Sequence, residues 1–194
     1  MQHFRGGMSL NKVKMDEQEL IRRIQSGDES AFEEIVTVYK HKIVNFLYQL
    51  TGDYQSAVEL AQETFMRVYF KAHRYKPVAP FSSWIYAIAS NLAKTDLKKS
   101  RRYRLVSLED MSYRVHEGMI SSDNPESSGM EKNVKQALGD LHPRYRIPVI
   151  LKDIEGFTQE EIASILDIPV GTIKARISRG RNHLKKELER AMAC

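Results

Sequence analysis

Residues 158–184 read TQEEIASILDIPVGTIKARISRGRNHL and contain two short helical patterns separated by the break DIPV at 167–170. Thr158 is placed to cap the first helix, and Glu161, three residues later, is placed to bond back to the Thr158 amide. Pro169 ends the first helix, because proline cannot continue the ladder of backbone hydrogen bonds. The stretch therefore predicts a helix-turn-helix. The predicted buried face of the first helix is Ile162, Ala163, Ile165 and Leu166.

The second helix of this pair has an apolar stripe and a basic face. At about 100° per residue, the stripe consists of Ile173, Ile177, Gly180, Leu184 and Leu188. The opposite face carries Ala175, Ser178, Arg179 and Asn182, flanked by Lys174 and Arg181. Residues 172–186 hold six Lys or Arg and no Asp or Glu, whereas a merely solvated helix usually mixes signs. A basic face with small side chains at its centre fits the major groove of DNA. The alternative is a helical hairpin whose charges only face solvent.

The composition bounds the class of protein. At 194 residues with 42% hydrophobic residues, the chain is long enough for one or two compact domains. Its formal net charge is +5, and the basic residues cluster. The sole cysteine, Cys194, excludes an intrachain disulfide and a thiolate metal site, and it fits a reducing, cytoplasmic setting. No apolar run approaches the roughly 20 residues of a membrane span, and the start lacks the apolar core of a signal peptide. We expect residues 1–14 to be a poorly ordered lead.

Residues 15–104 predict an all-helical bundle, because their apolar residues recur at three- and four-residue spacing without strand-like alternation. Gly27 ends a first helix, Asp28 caps a second, and the break at 51–53 closes it. A third helix, at about 55–72, is predicted to bury Ala57, Ala61, Phe65 and Val68. Its outer face carries Glu59, Gln62, Glu63, Met66 and Phe70. This acidic, partly apolar face is either a docking patch for a protein partner or packs on a neighbouring element.

Residues 73–80, HRYKPVAP, contain two prolines and predict a loop before a helix at 81–99. Phe81 and Trp84 lie on the apolar side of that helix, and residues 94–104 hold six Lys or Arg against one Asp. Aromatic rings beside basic residues suit unpaired nucleic acid, because bases stack on the rings and cations hold the backbone. The alternative is that Phe81 and Trp84 are core residues.

A change of composition separates this bundle from the C-terminal part. Residues 105–133 hold six acids and two bases with little periodicity, so we predict a flexible acidic linker at 105–132. A second helical domain follows at 133–194 and contains the helix-turn-helix. Pro148 lies within the middle helix of this domain and predicts a kink or a late helix start.

Four motifs, in this order, resemble the extracytoplasmic-function group of bacterial RNA polymerase sigma factors. They are GDESAFEEIV at 27–36, ELAQETFMRVY at 59–69, FSSWIYAIASN at 81–91 and LHPRYRIPVILKDIEGFTQEEIASILDIPVGTIKARISRGRNHL at 141–184. The resemblance extends over residues 20–188. It implies an all-α protein with sigma domain 2 at 15–104 and sigma domain 4 at 133–194.

The resemblance also implies partners and site residues. The protein would bind the β′ clamp and β flap of core RNA polymerase, recognise two promoter elements, help to melt the minus-ten element and capture a flipped base. The polymerase would contact Glu59, Gln62, Glu63 and Met66. The minus-ten element would contact Arg74, Tyr75, Lys76, Phe81, Trp84, Asn91, Lys98, Arg101 and Arg102. The minus-thirty-five element would contact Lys152, Thr172, Lys174, Ala175, Arg176, Ser178, Arg179 and Arg181. An anti-sigma factor is a further implied partner, and neither a cofactor, a metal nor membrane insertion is implied.

Two other interpretations compete with this one. A stand-alone helix-turn-helix regulator would need its own dimer interface and would use residues 15–104 as a sensor. An enzyme is disfavoured, because the sequence has no HExxH, nucleophile elbow or Gly-rich phosphate loop. Inhibition also has two candidate mechanisms, an external partner or masking of basic surfaces by the acidic linker. Salt screening over about 8 Å favours the external partner.

Overall fold

The computed structural model describes residues 10–110 and 129–192, with side chains described over 17–99 and 133–191. Within these ranges every regular element is helical, which confirms the predicted all-α fold. The elements are α1 (Leu10–Gln25), α2 (Glu29–Thr51), α3 (Tyr54–Lys71), a 3₁₀ turn (Ala72–Arg74), α4 (Phe81–Asp110), α5 (Gly129–Asp140), α6 (Pro143–Asp153), α7 (Gln159–Leu166) and α8 (Val170–Met192). Among the described helices, none combines the length and apolar character needed to cross a membrane.

Helices extend into segments that the sequence predicts as lead and linker. α1 already begins at Leu10 rather than after residue 14, and residues 1–9 lie outside the described residues. α4 continues to Asp110 and α5 begins at Gly129, so helical backbone enters both ends of the predicted linker at 105–132. The remainder of that linker, 111–128, lies outside the described residues.

Caps delimit the helices of the N-terminal bundle, one predicted at Asp28 and one at Asp53, which the sequence predicts only as part of a break. The Asp28 carboxylate accepts hydrogen bonds from the amides of Ser30 and Ala31 at the start of α2. Gly52 has a φ of 76°, the left-handed conformation that lets the chain leave α2, and Asp53 then caps α3. The predicted inner face of α3 is confirmed, because Ala57, Ala61, Phe65 and Val68 are all buried.

The C-terminal domain is built on α6. The helix begins at Pro143 under the His142 cap, so the predicted late start at Pro148 is wrong. Pro148 instead lies inside the helix and is buried, where its missing amide leaves one carbonyl of the preceding turn without a helical partner. The side chains of Ile147, Ile150 and Leu151 are also buried.

The helix-turn-helix has the predicted local structure. Thr158 and Glu161 form the predicted capping box at the start of α7. Asp167 follows α7 with a φ of 54°, and three residues separate α7 from α8. Residues with short polar side chains tolerate this left-handed conformation better than most, so the turn is tight without a glycine.

The two domains pack directly on one another, which the sequence did not predict. The ring of Tyr86 on α4 lies between Phe46 of α2 and Phe157 of the C-terminal domain, with centroid distances of 5.0 and 4.9 Å. The Tyr86 hydroxyl donates to the Glu155 carboxylate. Buried side chains of both domains form one continuous core, and we call the region where α4 and α2 meet the C-terminal domain the seam.

Candidate polymerase and nucleic-acid interfaces

The outer face of α3 presents acids beside exposed apolar side chains. Glu59 and Gln62 are exposed, Met66 is 52% exposed and Phe70 is 69% exposed. Glu63 is half-buried, and its carboxylate accepts a hydrogen bond from Arg67 at 2.7 Å. Large apolar side chains at this level of exposure mark a candidate protein-binding surface when they are contiguous.

An aromatic row extends this surface beyond the predicted residues. Tyr69 is exposed on α3, and its ring contacts the rings of Phe70 at 5.6 Å and of Phe32 on α2 at 5.0 Å. Sequence reasoning missed Tyr69 because the contact between Tyr69 and Phe32 joins two helices. The ring contact makes the exposed side chains of Tyr69 and Phe70 contiguous. We call Tyr69 and Phe70, together with Glu59, Gln62, Glu63 and Met66, the α3 patch.

The loop before α4 is held by buried aromatic residues. Tyr75 is 8% exposed, and its hydroxyl donates to the Ala79 carbonyl at 2.7 Å. The Gln25 amide nitrogen donates to the carbonyls of Ala72 at 2.9 Å and of Tyr75 at 3.2 Å. A cavity of about 260 Å³ opens beside this loop. It is lined by Glu17, Gln18, Tyr75, Pro77, Val78, Ala79, Pro80 and Phe81.

Two of the residues predicted to contact the minus-ten element, Tyr75 and Phe81, are buried in this structure. Phe81 is 3% exposed and packs edge-on against Tyr39 and Tyr75, at 5.4 and 5.9 Å between ring centroids. Phe81 and Tyr75 therefore support the loop as core residues and have little surface for stacking on a base. Trp84 is half-buried against both rings. The remaining predicted residues with described side chains, Arg74, Lys76, Asn91 and Lys98, are exposed, whereas the side chains of Arg101 and Arg102 lie outside the described residues.

The second helix of the helix-turn-helix is oriented as its periodicity predicts. Ile173 and Ile177 are buried with 0% and 2% exposure, and Gly180 is buried against α6. The opposite side chains are exposed, and they are Lys174, Ala175, Ser178, Arg179 and Asn182. α8 therefore presents a basic surface with small residues at its centre, the form that a major groove accepts.

The other residues predicted to contact the minus-thirty-five element differ in their surroundings. Arg181 forms a bidentate ion pair with Asp153 on α6, and this hydrogen bonding raises the pKa of the guanidinium. The Lys152 ammonium donates to the Phe157 carbonyl at 3.2 Å, and Thr172 is half-buried. The Arg181 side chain is 55% exposed, so this surface pair links α8 to α6, and the contact of Arg181 with the minus-thirty-five element stays a prediction.

Arg176 faces the seam. It is half-buried and lines a cavity of about 420 Å³ between α4 and the C-terminal domain. The cavity is lined by Lys94, Leu97, Lys98, His142, Pro143, Arg144, Ile147, Pro148, Leu166, Ile168 and Arg176. Burial and the neighbouring charge of Arg176 lower the pKa of the Lys94 ammonium. Two of the predicted DNA-binding cations, Lys98 and Arg176, therefore lie at one cavity of the seam.

Two protein-family sequence models match parts of the chain. The model described as sigma-70 region 2 matches residues 35–103, and the model described as sigma-70, region 4 matches residues 131–184. The first match contains α3 and most of α2, and the second contains α7 and α8 as far as residue 184.

Individual relatives match nearly the whole chain. The ECF RNA polymerase sigma factor SigW of Bacillus subtilis is 34% identical over 87% of this chain and 94% of its own length. The RNA polymerase sigma-H factor of Pseudomonas aeruginosa is 32% identical over 89% of this chain and 94% of its own.

Two solved structures share the architecture. CnrH, in complex with the cytosolic domain of CnrY, superposes with a TM-score of 0.68 at 22% identity, over 90% of this chain and 97% of that one. The sigma factor RpoE of Bartonella quintana, in complex with the anti-sigma factor NepR, has a TM-score of 0.64 at 25% identity. That match covers 81% of this chain and 96% of the other.

Proposed function

Because the chain belongs to the extracytoplasmic-function group of sigma-70 family RNA polymerase sigma factors, we propose that the α3 patch binds the polymerase clamp and that α4 and α8 bind the two promoter elements. The protein binds core RNA polymerase and directs promoter-specific initiation of transcription. One observation supports this assignment of surfaces. The part of the chain that matches region 2 exposes an acidic and aromatic face on α3, and the part that matches region 4 exposes a basic face on α8.

The α3 patch is proposed as the main polymerase contact. Met66, Tyr69 and Phe70 expose apolar surface that the fold of this domain does not bury. Large apolar and aromatic side chains that become buried on association supply most of the binding energy of an interface. The acids around them supply complementarity to a basic partner surface.

Reversal of charge at Glu63 is expected to weaken the complex with core polymerase by about 2 kcal/mol, because it removes an acid from the centre of the patch. The affinity of the Glu63→Lys variant for core polymerase is to be measured by fluorescence anisotropy. Glu33→Lys is the matched control, because Glu33 is exposed on α2 outside the patch. Since Glu63 also pairs with Arg67, thermal unfolding of both variants must show that the fold is intact. Equal affinities of the two variants would remove the α3 patch from the interface.

Arg179 is proposed to read base edges of the minus-thirty-five element, while Arg176 neutralises phosphate. Arg179 is exposed at the centre of the outer face of α8, whereas Arg176 lies toward its side. Arg179→Ala is expected to cost about 2 kcal/mol on the best promoter and to relax sequence preference. Arg176→Ala should weaken all promoters alike and lower the salt slope of the log affinity by about one.

Holoenzyme binding to a set of promoter variants at several salt concentrations measures both effects. If Arg179→Ala and Arg176→Ala lower affinity in the same way, with preference unchanged in both, the proposed division between base and phosphate contacts is incorrect.

The cavity beside the loop at 75–80 is proposed to receive a base flipped from the minus-ten element. Arg74 and Lys76, the neighbours of Tyr75 in the sequence, are exposed cations. The Tyr75 hydroxyl donates to the Ala79 carbonyl and so fixes the backbone of the loop. Unstacking a base is least costly in a strand that is already separating, so a preformed cavity favours melting at this position.

Two further assignments rest on the family. The Bartonella quintana relative was crystallised with an anti-sigma factor, and we propose that this chain is likewise controlled by an anti-sigma protein. We also propose that it acts in the cytoplasm, as a factor without catalytic activity of its own, where RNA polymerase is present. The test of the whole proposal is whether the purified chain directs initiation at a promoter only when core polymerase is added.

A further inference from the structure

The cavity beside the loop at 75–80 has a wall on α1. Glu17 and Gln18 line it together with residues of the loop and Phe81. α1 ends at Gln25, whereas the match to the region 2 family model begins at residue 35. The family match therefore assigns no role to this wall, although it faces the cavity proposed to receive a base.

Glu17 presents a fixed hydrogen-bond acceptor to the cavity. The residue is half-buried, and its Oε1 accepts a hydrogen bond from the Tyr39 hydroxyl at 2.6 Å. Burial and this hydrogen bond raise the pKa of Tyr39, so its hydroxyl remains a donor at neutral pH. The other carboxylate oxygen, Oε2, has no hydrogen-bond partner among the described residues. It is therefore available to a donor group that enters the cavity.

Gln25 fixes the loop to the end of α1. Its side-chain nitrogen donates to the Ala72 carbonyl at 2.9 Å and to the Tyr75 carbonyl at 3.2 Å, which lie 47 and 50 positions later in the chain. An amide nitrogen carries two hydrogens, so both donors of Gln25 are used. Gln25 is a positioning residue, because it holds the start of the loop at a set distance from the helix that carries Glu17.

An acceptor of this kind discriminates between bases. Adenine, cytosine and guanine carry an exocyclic amino group, which donates hydrogen bonds, and thymine carries none. The ring N–H of thymine lies between two carbonyl oxygens, which a carboxylate repels. Among the described residues, the cavity lining contains no Lys or Arg that would neutralise Glu17. A site that hydrogen-bonds one group of its ligand rejects an analogue that lacks the group, because the acceptor is then left unpaired.

We propose that Glu17 determines which base the cavity accepts, because its Oε2 accepts a hydrogen bond from the exocyclic amino group of the flipped base. The cavity then takes adenine, cytosine or guanine and rejects thymine. Gln25 keeps the loop in the conformation that forms the cavity. This inference rests on the proposed entry of a minus-ten base into the cavity, and it goes further by assigning the choice of base to a residue of α1.

The test uses holoenzyme and fork-junction promoters in which each nontemplate position of the minus-ten element carries each of the four bases in turn. At one position the unmodified protein should bind its best amino-bearing base about tenfold more tightly than thymine. Glu17→Gln should lower this ratio about fivefold at that position alone, because its amide nitrogen can donate to a thymine carbonyl. Its amide oxygen still accepts from Tyr39. Glu19→Gln is the matched control and should keep the ratio, because it removes the same charge at an exposed position of α1 outside the cavity.

Gln25→Leu separates positioning from selection, because it keeps a similar size and removes both donors. It should weaken binding to all fork junctions about threefold, with the base ratio unchanged. Binding to a duplex that ends upstream of the minus-ten element should stay the same, whereas a general loss of stability would lower both. Unchanged fork-junction binding would remove Gln25 from the positioning of the loop.

Val78→Glu tests the cavity independently of Glu17. Val78 lines the cavity and is 91% exposed, so an acid there leaves the fold intact and should repel the incoming strand at all fork junctions. If Val78→Glu binds as the unmodified protein does, the cavity does not receive the strand, and the proposed role of the loop fails together with that of Glu17. If Val78→Glu weakens binding while Glu17→Gln keeps the discrimination against thymine, the cavity stands and selection by Glu17 is overturned. The absence of any position that disfavours thymine in the unmodified protein would also overturn it.

Discussion

Replacement of Arg146 by alanine is expected to lower the free energy of unfolding by about 3–5 kcal/mol, the largest effect of any single change considered. Arg146 is only 7% exposed, and its guanidinium donates to the carbonyls of Leu141 at 3.1 Å, Leu50 at 2.6 Å and Gly139. Alanine leaves these acceptors without their donor in positions that water reaches poorly, and each such loss is costly. The midpoint of thermal unfolding should fall by about 10 °C.

Arg146→Lys is the informative control for this change. Lysine keeps the charge near the C-terminal ends of α2 and α5, but its compact ammonium does not reach three carbonyls that a planar guanidinium spans. Its unfolding midpoint should lie between those of Arg146→Ala and the unmodified chain. If alanine and lysine give the unmodified midpoint, the Arg146 hydrogen bonds contribute little to stability.

Replacement of Gly180 by leucine is expected to cost about 3 kcal/mol of stability and to reduce promoter binding more than tenfold. A Cβ at this position would lie 2.6 Å from Cγ2 of Val149 and 3.4 Å from the Tyr145 carbonyl oxygen, both on α6. Leucine is the better helix former by only about 1 kcal/mol, so overpacking decides the sign. α8 has to move away from α6, which displaces the exposed side chains of Ala175 and Ser178, two of the proposed promoter contacts.

Gly171→Ala is the matched control in the same helix. Nothing lies within 4 Å of a Cβ built at Gly171, so the change should keep stability or raise it by up to about 1 kcal/mol. Chemical denaturation and promoter binding of the two variants separate a packing effect from a general effect of losing glycine in α8. A Gly180→Leu protein as stable as Gly171→Ala would show that α6 and α8 are loosely packed.

Local sequence rules account for much of the fold. The caps at Asp28 and Thr158 are each set by residues within four positions, so sequence alone predicts them. The orientation of α8 is predictable for the same reason, because a stripe containing Ile173 and Ile177 leaves only one face for the solvent. Apart from Tyr69, the residues of the α3 patch follow from the same periodicity applied to α3.

Contacts between distant parts of the chain account for what sequence reasoning missed. Phe81 and Tyr75 occur in a basic, aromatic segment that suits nucleic acid, but the fold buries Phe81 against Tyr39 and packs Tyr75 against Phe81. Arg181 is a basic residue of the kind that contacts phosphate, and only the fold brings Asp153, 28 residues earlier, beside it. The periodicity of apolar residues describes one helix at a time, so it does not predict which charged side chains form ion pairs between helices.

The hydrogen bond from Arg146 to the Leu50 carbonyl joins residues 96 positions apart, and this separation bears on how the chain folds as it leaves the ribosome. Translation at about 5–20 residues per second places Arg146 roughly 5–20 s behind Leu50. Throughout that interval the end of α2 is solvated, so the nascent N-terminal bundle must be stable with water in the place of the guanidinium. Docking of the C-terminal domain is then a late folding step, and polymerase that meets the nascent chain encounters the α3 patch before the seam has formed.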